Sequence, residues 1–176
     1  MELLDIYDYK GERTGKVIQR GTRLLPGEYM KTVLIVIFNS EGKMLIQRRV
    51  PEKEHWGGLW DLSCCGAVIA GEEPRTAAMR ELKEELGLTV DLTRERPVFV
   101  NAWKDGTNDA FVIHMDLNPS ELTLQKEEVA EARFATEDEI LEMIRQETFI
   151  SYKPAWVSLL FACRVTTGTI DDAPRP

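Results

Sequence analysis

The chain has few of the residues that define several common classes of protein. It holds three cysteines, Cys64, Cys65 and Cys163, in 176 residues. An odd count with two of the three adjacent does not form a disulfide framework. With only two histidines, His55 and His114, no Cys/His spacing of a zinc site is present. No apolar run reaches the roughly 18–20 residues that span a bilayer. The first twenty residues mix acids and bases and lack the apolar stretch of a secretion signal. These absences lead to the expectation of a cytoplasmic protein without membrane contact. There is also no large Lys/Arg cluster, and the net charge is −8. An acidic surface of this kind repels nucleic-acid polymers. A small anion would need a local cation to neutralise it.

What is present suits one folded domain. The chain is 43% hydrophobic and 30% charged, an ordinary globular balance, and is long enough to bury a full core. Residues 3–9 and 16–19 flank a Lys10-Gly11-Glu12 turn and read as a hairpin. Residues 31–38 (KTVLIVIF) are β-branched and almost wholly apolar, as in a strand buried on both faces. Residues 43–48 return as its partner. Residues 51–58 read as a loop. Short strands at 60–63 and 67–69 are expected to flank a connection at Cys64, Cys65 and Gly66. Strands follow at 98–103, 110–116 and 131–134, and helices at 74–86, 137–145 and 155–164. The expectation is a mixed α/β domain over residues 30–164, with an N-terminal hairpin extension at 1–29 and a loose tail at 165–176.

The helix at 74–86 carries the chemistry. Pro74 fits its first turn and Gly87 stops it. At about 100° per residue, Glu81, Glu84 and Glu85 share one arc, beside an apolar arc of Ala78, Met79, Leu82 and Leu86. Arg80 and Lys83 are expected to point away from the centre of the acidic arc. Like charges at these spacings weaken a helix by a few tenths of a kcal/mol per pair. A divalent cation turns that repulsion into attraction, and carboxylates suit Mg²⁺ or Mn²⁺. Glu72, in the preceding loop, can fold onto the same cluster, and Gly66 and Gly71 let that loop turn tightly and approach a ligand. An isolated E-x-x-E-E is more often a solvated helix face. The longer pattern from Gly66 to Leu88 fixes seven residues by type and two as apolar, and its chance frequency is below about one in a hundred million per starting position.

That segment resembles, without departure, the Nudix box, G-x5-E-x7-R-E-U-x-E-E-x-G-U with U aliphatic. The flanking strands also resemble the Nudix fold, an αβα sandwich on a mixed sheet. The resemblance implies hydrolysis of a phosphoanhydride bond in a small organic diphosphate with Mg²⁺ or Mn²⁺. It implies metal ligation by Glu84 and Glu85, with Glu81 a ligand or metal-linked base. Arg80 braces the cluster by pairing with a glutamate, Glu72 foremost, and the carbonyl of Cys65 completes the metal shell. A further acid often comes from outside the box, and Glu127 and Glu128 are the candidates. Arg48 and Arg49, at a strand end, are candidate phosphate contacts or plain surface charges. Trp56, Trp60 and Trp103 are candidate rim aromatics, Trp56 foremost for substrate contact. A homodimer through the hairpin stays open.

A second resemblance runs through Glu28 to Thr32, Ile37 to Arg49 and Leu59 to Gly66, and points to the branch containing isopentenyl diphosphate isomerase. There a cysteine and a glutamate act as acid and base, and Cys65 falls near the matching place. The pattern departs after Gly66, where Ala67 and Val68 replace His and Pro, and at Met30 and Lys31, where metal histidines are expected. With the hydrolase box complete, hydrolysis is the favoured reading. A Nudix-fold binding module without turnover is the third reading.

Overall fold

The computed structural model describes residues 2–164. The expected tail at 165–176 lies outside them. Strand β1 (Leu3–Tyr7) pairs antiparallel with β2 (Arg13–Gln19) as a two-stranded sheet. The main sheet is built from β3 (Met30–Phe38), β4 (Met44–Arg49), β5 (Trp60–Asp61), β6 (Cys64–Ala67), β7 (Phe99–Trp103), β8 (Gly106–His114) and β9 (Val129–Ala135). Its path runs β5-β4-β3-β8-β7, with β6 also on β3 and β9 also on β4. The β3–β8 pair is parallel and the other pairings antiparallel, so the sheet is mixed.

Helix α1 (Pro74–Leu86) covers one face of this sheet, while α2 (Glu137–Arg145) and α3 (Pro154–Ala162) cover the other. Strand β3 explains the two-sided burial. Its even residues Leu34, Val36 and Phe38 pack toward α2 and α3, with Phe149, Leu160 and Phe161. Its odd residues Val33, Ile35 and Ile37 pack toward α1, with Ala78, Leu82 and Leu86. Two faces on an unbroken apolar strand produce an αβα sandwich. Among the described residues no helix is long and apolar enough to cross a membrane.

Two strand expectations are corrected. The Cys64-Cys65-Gly66 stretch is not a connection: Cys64–Ala67 is itself a strand, paired from Ile35↔Cys64 to Thr32↔Ala67, and the preceding strand stops at Asp61. Alternation follows, so Cys64 packs toward α1 and Cys65 toward α2 and α3. Strand β8 starts at Gly106, not at 110, because polar Thr107, Asn108 and Asp109 complete the parallel ladder with Lys31, Thr32 and Val33. Backbone pairing recruits these residues against their low apolar content.

The hairpin is docked. Leu4, Ile6 and Tyr7 are buried, and Leu4 bridges to Ile69. Asp5 Oδ2 accepts the Gly71 N–H at 2.8 Å, and Arg13 pairs with Asp5 and Glu73, each at 3.1 Å. The hairpin therefore pins the loop that enters α1.

Candidate active site

Helix α1 ends on Gly87, whose φ of 71° lets its N–H reach Lys83 O while the Leu88 N–H reaches Leu82 O. Thr123 packs where a Cβ on Gly87 would stand. This left-handed stop closes the helix directly after Glu84 and Glu85. The acidic arc is not uniform. Glu81 and Glu85 are buried at 7% and 6% exposure, whereas the Glu84 side chain is about half exposed at 51%.

Glu81 lies against β6 because Gly66 has no side chain: a Cβ there would occupy the place of the Glu81 carboxyl. Gly66 thus permits close approach within a strand, correcting its expected part in a loop turn. Gly71, at φ 80°, does make the turn before the helix.

Arg80 corrects another expectation, since its guanidinium sits among the acids. Its Nε and Nη2 donate to the two Glu72 oxygens at 3.1 and 3.0 Å, and Nη1 donates to Glu81 at 2.8 Å and Glu84 at 3.1 Å. Nη2 also donates to the Ala67 carbonyl at 2.9 Å. A long side chain with five donors in a planar fork can reach back over the arc from a neighbouring helical position. Lys83 stays exposed. Burial alone weakens the Arg80 cation, but the hydrogen bonds and charges of Glu72 and Glu81 outweigh it and raise its pKa. Glu81 is pushed up by burial, with Arg80 opposing the shift.

Glu85 has a different environment. Gln47 Nε2 of β4 donates to its Oε2 at 2.9 Å, and the buried Cys64 lies nearby on β6. Burial pushes the Glu85 pKa up to about 7, Gln47 opposes this, and the charges of Glu81 and Glu128 add to it. Glu128 itself is held by Lys53 at 2.6 Å and is partly buried, while Glu127 is exposed. The fold therefore brings Glu128, and not Glu127, toward the helix acids. Glu81, Glu84 and Glu85 do not converge on one point: among the described residues no three Asp, Glu, His or Cys side chains are grouped to hold a metal ion. Arg80 holds Glu81 and Glu84, and Gln47 holds Glu85.

The remaining expected residues are spread over several elements and are not brought together with the helix acids. Cys65 is paired with Leu34 immediately before Gly66. Arg48 donates to the Gly58 carbonyl at 3.0 Å and is exposed. Arg49 is more enclosed, bonding the His55 carbonyl at 3.3 Å and standing 3.9 Å from Asp61. Trp56 is 58% exposed in the 51–58 loop at φ 53°. Trp60 packs on the α2/α3 side beneath Arg133, 5.0 Å from its ring centre. Trp103 ends β7 at the hairpin with β8.

Four further residues were missed in the sequence: Gln47, Asp61, Tyr152 and Trp156. Asp61, almost fully buried, accepts from the Tyr152 hydroxyl at 2.9 Å and from the Leu62 N–H at 2.8 Å. Tyr152 stacks on Trp156 with centroids 5.0 Å apart and lies near the Cys65 thiol. Burial pushes the Cys65 thiol well up. The available signal was a polar side chain at the end of a short apolar run, at Gln47 after Met44 to Ile46 and at Asp61 after Leu59 and Trp60.

The donor set suits a hard cation: two buried carboxylates, one mobile exposed carboxylate and backbone carbonyls, with no imidazole in contact. Buried carboxylates whose burial opposes ionisation gain most from such an ion. An αβα sandwich with this acid-bearing helix after a glycine-bearing strand defines the Nudix class of fold.

Comparisons with known proteins agree. Residues 28–154 match the family described as NUDIX domain. The chain is 43% identical over 152 residues to the uncharacterised Nudix hydrolase lmo0368 of Listeria monocytogenes, covering 86% of this chain and 90% of that one. It is 31% identical over 165 residues to an isopentenyl-diphosphate delta-isomerase of Pectobacterium atrosepticum, covering 89% and 88%. The crystal structure of DR0079 from Deinococcus radiodurans shares the fold at a TM-score of 0.75 and 24% identity, covering 92% of this chain and 99% of that one. The chain belongs to the Nudix hydrolase family.

Proposed function

We propose that the protein is a divalent-metal-dependent hydrolase of a phosphoanhydride bond in a small organic diphosphate, nucleoside-linked or otherwise. The observation that carries this reading is the complete box helix with Glu81 and Glu85 buried beside β6, braced by the Arg80–Glu72 pair. Nudix hydrolases generally use divalent metal ions, and Mg²⁺ or Mn²⁺ fits this oxygen donor set.

Glu84 and Glu85 hold the cation with Glu81, the Cys65 carbonyl is the backbone donor, and Glu128 is the outside acid. Glu84 is free to swing from Arg80 because its exposed ion pair is worth little. A cation held by these residues would supply charge neutralisation at the diphosphate bridge and a water of lowered pKa. Water attacks phosphorus, its proton passes to Glu81, and the bridging P–O bond breaks to release a phosphate or monophosphate. Arg80 keeps Glu81 aimed and Glu72 orders the entry loop. Arg49, and Arg48 at the strand end, receive the outer phosphate, and Trp56 covers the organic group. Residues 30–164 form the catalytic domain, and residues 1–29 extend it and leave β2 as an exposed edge on which a second copy can pair.

Glu84→Gln and Glu85→Gln are each expected to lower metal-dependent turnover by about 100-fold or more while the fold persists. Wild-type turnover in either variant, by phosphate release, removes the ligand assignments. The isomerase reading keeps one supporting observation: Cys65 lies beside Tyr152 in a chain similar to an isomerase. Rearrangement of isopentenyl diphosphate without phosphate release would establish it, and ligand binding without turnover would establish a binding module.

A further inference from the structure

We infer that Gln47 is a positioning residue of the cation site, fixing Glu85 through its amide nitrogen and holding a water of the cation's shell on its amide oxygen. This rests on the preceding reading that Glu85 is a ligand. Gln47 follows Leu45 on the α1 side of β4 and is buried, at 2% exposure. Its Nε2 donates to Glu85 Oε2 at 2.9 Å. Its Oε1 is buried and has no hydrogen-bond partner.

The amide cannot be reversed beside an ionised Glu85, because two oxygens would then face each other. With Glu85 ionised, as a cation ligand must be, the contact fixes which end is left over, and that end is an acceptor. A buried acceptor without a donor is costly, and in native proteins such an atom calls for an explanation. Leu45 precedes it on the same face, and Leu or Met at position 47 would fill the space if packing were the only task. An acceptor one side chain away from a ligating carboxylate has an obvious donor, a water bound to Mg²⁺ or Mn²⁺, since Mg²⁺ usually keeps several waters when it binds. Partners that orient a ligand and its waters set metal affinity as well as geometry.

Other buried atoms without partners among the described residues are Asn101 Oδ1, Asp109 Oδ1 and Trp156 Nε1, and none is hydrogen-bonded to a box acid. Gln47 alone couples an orphan oxygen to the box helix.

Calorimetric titration of Mn²⁺ into the metal-stripped full chain tests this. Gln47→Leu is expected to bind Mn²⁺ about 10–100-fold more weakly than wild type, with a melting temperature in chelator that shows it folded. Gln47→Met, of similar length and without either polar atom, is expected to bind Mn²⁺ about as weakly as Gln47→Leu. Equal Mn²⁺ affinity in wild type and Gln47→Leu, with only the melting temperature changed, overturns the inference and leaves Gln47 a packing residue. Should Gln47→Leu not fold, Mn²⁺ affinity in Gln47→Met equal to that of wild type overturns it instead. Absence of Mn²⁺ uptake by wild type is a distinct result, which removes the cation reading and this inference together.

Discussion

Glu85 shows how a single carboxylate records its purpose in its energetics. Its folded pKa, about 7, lies above the ordinary glutamate value of 4.5 because burial disfavours the charge. The folded state therefore binds the proton more tightly than the unfolded state does. In chelator, stability is greatest below about pH 4.5 as far as this group is concerned, and it falls as pH rises to about 7. The loss amounts to about 3 kcal/mol. Glu85→Gln removes the titration, so the variant should gain on wild type by about that amount between pH 4 and pH 8, measured by denaturant unfolding. Parallel stability curves would contradict the burial argument.

Arg80 belongs to the same scale. Its ion pairs with Glu72 and Glu81 are largely enclosed, and removing one partner of such a pair costs about 3–5 kcal/mol. Arg80→Ala should lose stability of that order, and Arg80→Lys should recover only part of it, since an ammonium cannot span Glu72, Glu81 and the Ala67 carbonyl at once. The positions of these acids and of Arg80 were legible in the sequence because helical spacing is rigid. The direction taken by Arg80 was not, because a flexible side chain with five donors goes where the acceptors are. Gln47 was illegible for another reason: one amide after a short apolar run has no spacing to announce it.

At the scale of elements, glycine marks where two backbones or a backbone and a side chain meet. Gly66→Ala would push the Glu81 carboxyl off β6, so turnover should fall sharply, with a stability loss of about 1–3 kcal/mol from overpacking. A near-wild-type rate in this variant would mean that Glu81 acts from another position. Strand β6 itself was misjudged at the sequence level, since Cys-Cys-Gly-Ala has no strand-like composition. Its pairing with β3 overrides propensity, as tertiary context does for short strands. The helix bounds, in contrast, followed from Pro74 and Gly87, which fix backbone angles locally. The hairpin was legible as a hairpin, but its docking through Asp5 and Arg13 on the Gly71–Glu73 turn joins residues some sixty positions apart and leaves no local trace. Asp5→Ala should cost about 1–3 kcal/mol by unfolding measurements, through the Gly71 N–H left without its charged acceptor.

For the whole molecule, the αβα sandwich follows from one strand. An apolar β3 needs cover on both faces, and the chain supplies one helix before the second half of the sheet and two after it. The acid-bearing helix is thereby laid along the strand that carries Gly66, which is how a sequence motif becomes a site. The chain is similar to both a Nudix hydrolase and an isomerase, and the two readings differ in what they ask of Cys65. Here Ala67 and Val68 follow Gly66, Tyr152 and Asp61 enclose the thiol's neighbourhood, and the complete box lies on the other side of the strand.

The most direct test is phosphorus NMR of the purified protein with Mg²⁺, a panel of nucleoside diphosphate derivatives and isopentenyl diphosphate, with and without chelator. The account predicts new orthophosphate or monophosphate signals from at least one diphosphate, abolished by chelator and restored by Mg²⁺ or Mn²⁺. Phosphate release that persists in chelator, or an intact diphosphate in every sample, would contradict it.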